Sequence, residues 1–237
     1  MSSDLKVLQV IPKLGYGGAE TGCYDIAHYL PENGCKSFLV TSGGELIKFI
    51  NKEKVKLIRL PVHSKNPLLI FINTIILIGI ILFFNISIVH ARSRAPAWSC
   101  LFATKLTRRK FVTTFHGTYN FSGKIKKFYN SIMVRSDLII AGSNFIFSHI
   151  KENYSEFLKF NKKFLVIFRG INVDYFDPST KLTKRKFVTT FHGTYSFSGN
   201  FKKFYNSVMV RSDLIIAGSN FIFSHIKENY SKFFKLK

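Results

Sequence analysis

The stretch KVLQVIPKLGYGGAETGCYDIAHYL, residues 6–30, decides the fold of this chain. Its first six residues are mostly apolar and stop at a proline, a pattern that predicts a short buried strand. A glycine-rich loop over residues 15–20 follows, and residues 19–30 then carry apolar side chains at helical spacing. Strand, glycine loop and helix in this order are typical of the first βα unit of a parallel sheet.

The same alternation of strand and helix continues to about residue 178. Further strands are predicted at 37–41, 55–60, 86–91, 111–115, 138–141 and 164–168, with helices near 46–51, 67–84, 96–105, 123–135 and 144–153. Continuous apolar runs such as DLIIA and FLVIF are typical of strands covered on both faces. We therefore predict an α/β fold, a Rossmann-like parallel sheet with helices on both faces.

An internal repeat dominates the remainder of the chain. Residues 104–157 recur as residues 180–233, and 48 of the 54 aligned positions are identical. Surface and core positions match alike, which indicates a recent duplication of a gene segment rather than an array of repeats. We predict one domain over 1–178, and a copied βαβα segment over 179–237 that is too small to be an independent domain.

The composition favours a folded protein with anionic partners. Hydrophobic residues make up 46% of the 237 residues, and 35 basic against 13 acidic side chains give a net charge of +22. This charge disfavours a cationic substrate and favours phosphates, nucleic acid or an acidic lipid surface. The duplication itself adds much of the charge, and no nucleic-acid motif accompanies it, so we expect no specific nucleic-acid partner.

The cysteines and the start of the chain point to the cytoplasm. Cys23, Cys35 and Cys100 are too few and too scattered for a disulfide framework or a zinc site, so we expect reduced thiols and no metal. The first residues lack the basic and apolar regions of a secretory signal.

The apolar run over residues 68–84 has two interpretations. A membrane-spanning helix usually needs ~20 apolar residues, with ~17 as the lower limit. The run is either a crossover helix packed against the sheet or a helix that contacts a membrane from one side. The basic chain favours an anionic lipid surface in the second case.

The glycine loop is the first candidate binding site. Gly15, Gly17, Gly18 and Glu20 lie where a strand gives way to a helix. Free N–H groups at a helix start favour an anion or a sugar hydroxyl, and glycine lets a ligand approach the backbone. The loop matches neither the dinucleotide fingerprint nor a Walker loop, and a plain tight turn explains it equally well.

Three more candidate positions follow predicted strands. His116 lies in TTFHGTY, Arg92 in HARSR with Arg94 beside it, and Arg169 and Asn172 in FRGIN. Open α/β sheets bind ligands at the carboxyl ends of their strands, and arginine pairs suit phosphate. The alternatives are a structural histidine and solvated arginines.

Taken in order, these segments resemble the N-terminal half of a glycosyltransferase family 4 enzyme of the GT-B fold. The resemblance rests on VLQV (7–10), GYGGAE (15–20), IVHARSR (88–94), TFHG (114–117), SDLIIAGS (136–143), IFRGIN (167–172) and YFDP (175–178).

The resemblance implies a retaining transferase that needs no metal or other cofactor. A nucleotide-diphosphate sugar is the donor substrate, and a glycolipid or saccharide in lipopolysaccharide or polysaccharide synthesis is the acceptor. His116 matches the family histidine that contacts the donor sugar, and Gly17 and Gly18 lie near the donor phosphates. Arg169 and Asn172 lie near the hinge between the two halves.

The chain departs from the family pattern after Pro178. The copied segment stands in place of a donor-binding domain, and its single glutamate, Glu228, cannot supply the family's Glu-x7-Glu pair. We therefore expect a truncated enzyme whose activity alone is in question. The alternative is a non-catalytic module that binds glycolipid or anionic membrane, in the cytoplasm or on the inner face of the cytoplasmic membrane.

Overall fold

The computed structural model describes residues 5–119, 122–158, 163–168, 188–191, 214–217, 224, 226–228 and 230. By compactness the chain divides into two units, 1–169 and 170–237. The predicted boundary at Pro178 lies outside the described residues.

The first unit contains seven strands and five α-helices among its described residues. The strands are β1 (Lys6–Val10), β2 (Lys36–Thr41), β3 (Val55–Arg59), β4 (Ile88–Ala91), β5 (Lys110–Phe115), β6 (Leu138–Ala141) and β7 (Lys163–Val166). The helices are α1 (Gly18–Glu32), α2 (Pro67–Phe83), α3 (Arg94–Thr107), α4 (Lys124–Asn130) and α5 (Asn144–Tyr154). Shorter 3-10 turns span Glu45–Phe49, Ser131–Val134 and Ser155–Phe157.

The strands form one parallel sheet in the order β3-β2-β1-β4-β5-β6-β7. This confirms the predicted Rossmann-like α/β fold. All carboxyl ends lie along one edge of the sheet, which we call the carboxyl edge, and all amino ends lie along the opposite amino edge. Two predicted helices differ: in place of the helix near 46–51 there is a 3-10 turn over Glu45–Phe49, and the helix predicted over 123–135 becomes 3-10 after Asn130.

Two separate hydrophobic cores lie on the two faces of the sheet, and β2 contributes to both. Phe38 and Val40 pack into the larger core together with α2 and α3, whereas Leu39 between them packs with Cys23 and Ala27 of α1. Side chains of a strand alternate with period two, so β2 contributes to both cores. The buried apolar residues of β4, β5 and β6 in these cores belong to the larger one, among them Val89, Phe111 and Ile139. Helices therefore flank both faces of the sheet, but the run FLVIF at the β7 edge leaves Leu165 48% and Phe168 65% exposed, so complete coverage of this strand was predicted wrongly.

Helix α2 is the crossover helix between β3 and β4. The Asn66 side chain caps it by accepting a hydrogen bond from Leu68 N at 2.9 Å. Leu77 and Ile81 are fully buried, while Phe71 is 62% exposed and Ile75 is 55% exposed. Within the described ranges, no helix has the length and apolarity needed to cross a membrane.

The copied segment repeats the strand pairing of the original. Strands β8 (Val188–Phe191) and β9 (Leu214–Ala217) pair in parallel, and their sequences VTTF and LIIA also occur in β5 and β6. The register is the same after the shift of 76 residues, because Val188 pairs with Leu214 as Val112 pairs with Leu138. Identical sequence has therefore produced the same local pairing in both units.

Candidate functional site

The glycine loop is held in place at its base by Leu14. Leu14 is fully buried, its N–H donates to Gly43 O at 2.7 Å, and its carbonyl accepts from Leu46 N at 2.9 Å. Gly17 then caps α1, with no side-chain cap hydrogen bond. The loop thus connects β1 to the start of α1 at the carboxyl edge.

Two carboxylates flank this loop. A Cβ added at Gly17 would collide with the Glu20 carboxylate, and one added at Gly15 would lie 3.2 Å from Glu45 Oε2. Glu20 also supplies negative charge to the first turn of α1, where the helix dipole favours it. The helix start is therefore already partly neutralised, and groups that donate hydrogen bonds, such as sugar hydroxyls, suit this place better than an additional anion does.

A row of polar side chains lies on the α1 face of the three central strands. Gln9 of β1 is paired in register with His90 of β4, and His90 Nε2 lies 2.7 Å from Thr114 Oγ1 of β5. All three side chains are buried in the sheet. We call Gln9, His90, Arg92, Thr114 and His116 the polar row, because alternation places Arg92 and His116 two residues beyond His90 and Thr114.

Arg92 connects the polar row to α1. Its Nη1 donates to Gln9 Oε1 at 3.1 Å, and Gln9 Nε2 donates to the Cys23 carbonyl at 3.2 Å. Arg92 is 5% exposed, so its charge lies within the fold beside α1. Burial raises the pKa of Cys23 to about 12, with Arg92 opposing this shift and Glu20 adding to it. The thiol therefore stays protonated and unreactive.

His116 is the exposed end of the polar row. Burial, together with the smaller effects of the positive charges of Arg92 and His116, lowers the pKa of His90 to about 3. His90 is therefore neutral at physiological pH and pairs with Thr114. The arrangement offers a fixed buried cation and a neutral imidazole behind one accessible histidine at the carboxyl edge.

Arg94 has partners different from those of Arg92. Its Nη1 donates to Asn130 Oδ1 at 2.8 Å, and its guanidinium lies 4.3 Å from the centre of the Tyr119 ring. The two arginines of the HARSR segment thus do not share a ligand set in this structure. Burial raises the pKa of Tyr119 to about 12.

The structure places some of the predicted site residues at the same edge of the sheet. Arg92 and His116 lie in the polar row, and Gly15, Gly17, Gly18 and Glu20 form the loop at the same edge. Arg169 and Asn172 lie outside the described residues. In the part of the chain that the structure describes, no three His, Cys, Asp or Glu side chains are grouped to hold a metal ion.

The sequence interpretation missed Gln9, His90 and Thr114 as site residues. His90 and Thr114 each lie two positions before a predicted site residue, Arg92 and His116, and Gln9 is the one polar residue between Val7 and Ile11. A count of alternate positions back from Arg92 and His116 would have found His90 and Thr114.

We expect acid to destabilise the fold through His90. The unfolded state binds a proton near pH 6.5 but the folded state only near pH 3, so this stability is complete above pH 6.5 and is lost as the pH falls. Between pH 7.5 and pH 5 the loss is about 2 kcal/mol. Urea unfolding at both pH values measures it.

The matched variants are His90→Gln and His63→Gln. The first should show a smaller loss between the two pH values than the parent chain, and the second should show the same loss as the parent. If the parent chain and His90→Gln lost the same free energy of unfolding between pH 7.5 and pH 5, His90 would not be the source of the pH dependence.

Comparison with known proteins agrees with this geometry. The family Glycosyltransferase Family 4 matches residues 16–175. A glycosyltransferase from Rickettsia africae ESF-5 has a similar structure, with 36% identity and a TM-score of 0.69 over 97% of this chain and 65% of that one. No curated protein matches the chain.

More distant structures share the fold. Anabaena Alr3699/HepE in complex with UDP-glucose is 15% identical, with a TM-score of 0.58 over 97% of this chain and 66% of that chain. The apo form of the lipopolysaccharide outer core galactosyltransferase WaaB is also 15% identical, with a TM-score of 0.56 over 94% and 65% of the two chains.

The chain thus spans about two thirds of the length of the structures that it resembles. The family match covers most of its first unit, including the glycine loop from residue 16 onward and all of the polar row except Gln9. The chain therefore belongs to glycosyltransferase family 4 and has the Rossmann-like architecture of the GT-B glycosyltransferases.

Proposed function

We propose that the chain transfers a sugar from a nucleotide-diphosphate donor to a saccharide or glycolipid acceptor in lipopolysaccharide or polysaccharide synthesis. The observation that carries this proposal is the polar row, which leads from buried Arg92 to exposed His116 beside the glycine loop. We further propose retention of the anomeric configuration and no requirement for a metal.

The neighbouring structures support the choice of substrates. One was determined with UDP-glucose bound, and another is a galactosyltransferase of the lipopolysaccharide outer core. Because these relatives are longer than this chain, activity of the chain alone is part of the proposal.

In this proposal the two ends of the site bind different parts of the substrates. The carboxylates of Glu20 and Glu45 beside the glycine loop accept hydrogen bonds from sugar hydroxyls. Arg92 supplies a buried positive charge, and the low-dielectric environment around it strengthens its attraction for the diphosphate. His116, exposed beyond Thr114, donates to an oxygen of the sugar being transferred, and neutral His90 keeps Thr114 oriented.

The test is a transfer assay with the full chain. UDP-, GDP- and ADP-sugars are incubated with the chain and a saccharide acceptor, and released nucleoside diphosphate is measured. Saturation-transfer NMR with the same nucleotide sugars measures binding separately. Neither binding nor release with any of these donors would contradict the proposed transfer.

A second proposed function is contact with an anionic membrane. Between α2 and α3 lies a largely apolar cleft of about 570 Å³, with Phe71, Trp98, Phe102 and Leu106 among its lining residues. Phe71, Phe102 and Leu106 are all exposed, and Lys65 stands at the margin of the cleft. Apolar side chains beside basic ones suit the surface of a bilayer that carries anionic lipids.

We expect Phe71→Ser to weaken sedimentation of the chain with phosphatidylglycerol vesicles by about tenfold, because burying one aromatic side chain contributes ~1.5–3 kcal/mol. Phe145 on α5 is 72% exposed and lies outside the cleft, so Phe145→Ser is the matched control. Equal sedimentation of the two variants would contradict contact through the cleft.

A further inference from the structure

A second pocket lies at the amino edge of the sheet, away from the polar row. It has a volume of about 360 Å³ and is found where α3 ends and β5 begins. Its charged lining residues are Lys105, Arg108, Arg109, Lys110, Arg135 and Asp137. We call it the basic pocket.

Positive charge in the basic pocket exceeds negative charge. Its one acidic residue, Asp137, already uses Oδ2 to accept a hydrogen bond from Phe111 N at 2.8 Å. Among the described residues, no carboxylate forms an ion pair with Lys105, Arg108, Arg109 or Lys110. Five cations around one small space repel one another, and a bound anion relieves that repulsion.

The helix dipole explains only part of this cluster. Lys105 and Arg108 are at the C-terminal end of α3, where positive charge offsets the dipole. Lys110 begins β5, and Arg135 follows the 3-10 turn before β6, so neither lies on the helix. Three separate elements deliver their cations to the same pocket.

Two of the arginines are held in position before any ligand binds. Arg109 donates from Nη2 to Asn85 Oδ1 at 2.7 Å. Arg135 lies 5.0 Å from the ring centre of Phe128 and 5.4 Å from that of Phe157. Side chains that are already ordered lose less entropy on binding, and arginine matches phosphate oxygens through paired hydrogen bonds.

We propose that the basic pocket binds a phosphate group. The inference does not depend on glycosyl transfer, because the pocket opens at the opposite edge of the sheet from the polar row. The phosphate has two possible sources, a phospholipid headgroup or a free phosphate compound. The geometry favours a headgroup, because Phe102 and Leu106 of the apolar cleft lie on an adjacent side of α3.

Trp98 provides the measurement. It is the single tryptophan of the chain, it lines the apolar cleft, and its ring centre lies 6.0 Å from the Arg135 guanidinium. Its fluorescence is recorded for the full chain during titration with inorganic phosphate, pyrophosphate, and vesicles of phosphatidylglycerol or phosphatidylcholine, at constant ionic strength. Residues 181–186 carry nearly the same basic sequence, but Trp98 has no copy, so we use its fluorescence to follow the basic pocket and the adjacent apolar cleft.

We expect a saturable change that Arg108→Gln combined with Arg109→Gln weakens at least tenfold, since the double substitution removes two charged hydrogen-bond donors to the phosphate. If that variant is unfolded by circular dichroism, Lys105→Gln with Lys110→Gln replaces it. Lys52→Gln with Lys126→Gln removes two exposed charges outside the pocket and should bind as the parent chain does.

The outcomes identify the source as well as the site. A response to phosphate or pyrophosphate that the pocket variants lose supports a free phosphate compound. A response to phosphatidylglycerol vesicles alone, lost in the same variants, supports a lipid headgroup. The proposal is overturned if no titration produces a saturable change, or if the pocket variants respond like the parent chain. Vesicle binding lost only in Phe71→Ser belongs to the apolar cleft, and a failed transfer assay leaves this result unaffected.

Discussion

Replacing Gly44 by alanine is expected to lower the free energy of unfolding by about 3 kcal/mol or more. Gly44 has a φ of +131°, which alanine adopts only with strain. A Cβ at this position would also collide with the backbone N, C and O atoms of Leu14. Leu14 cannot move away cheaply, because it is fully buried and its backbone N–H and C=O groups are both hydrogen-bonded.

The adjacent glycine separates the two contributions. Gly43 has a φ of +153° but nothing lies within 4 Å of an added Cβ, so Gly43→Ala should cost only about 1 kcal/mol of backbone strain. Urea unfolding of both variants measures the difference. Similar losses in the two variants would show that close approach of Gly44 to Leu14 is not important for stability.

This close approach illustrates what the sequence could not predict. The pair Gly43-Gly44 follows β2 and indicates a turn, but its contact with Leu14 joins segments 30 residues apart. A pattern in the sequence describes residues that are close together along the chain, so it does not predict a contact between segments this far apart. The strands themselves were predictable because continuous apolar runs such as DLIIA indicate strands covered on both faces.

For the candidate site, the sequence predicted which residues follow strands, but it did not predict which side chains pair with each other. The glycine loop and His116 follow predicted strands, and parallel topology brings strand ends to one edge. The pairing of Gln9 with His90, and of His90 with Thr114, depends on the register between strands, which the single sequence does not specify. The separate partners of Arg92 and Arg94 arise because β4 ends at Ala91 and α3 begins at Arg94, a boundary finer than pattern reading resolves.

Helix α2 shows a third reason why the sequence alone could not predict the structure. All but a few of its residues are apolar, so its sequence carries no polar side that marks the solvent. The sequence therefore did not distinguish a crossover helix packed against the sheet from a helix that contacts a membrane. The structure shows the crossover packing, with Leu77 and Ile81 buried against the fold, and it leaves Phe71 and Ile75 exposed.

Replacing His116 by alanine is expected to lower the rate of sugar transfer by about 10²–10³, the usual effect of removing one hydrogen-bond donor to a reacting group. The side chain is exposed, so its removal should leave the free energy of unfolding nearly unchanged. His116→Asn keeps a donor and should retain an intermediate rate. The ratio kcat/KM with one nucleotide sugar is compared across the variants. If the chain binds but does not transfer, the same comparison is made on Kd.

His63 is the matched control for this effect. It is also an exposed histidine that follows a strand, but it lies after β3, and its Nδ1 is 2.8 Å from Ser42 Oγ rather than in the polar row. His63→Ala should therefore transfer sugar at the rate of the parent chain. A rate for His116→Ala within twofold of the parent would remove His116 from the chemistry. A loss in His116→Ala alone would mean that its position beyond Thr114, and not exposure at a strand end, gives this histidine its role.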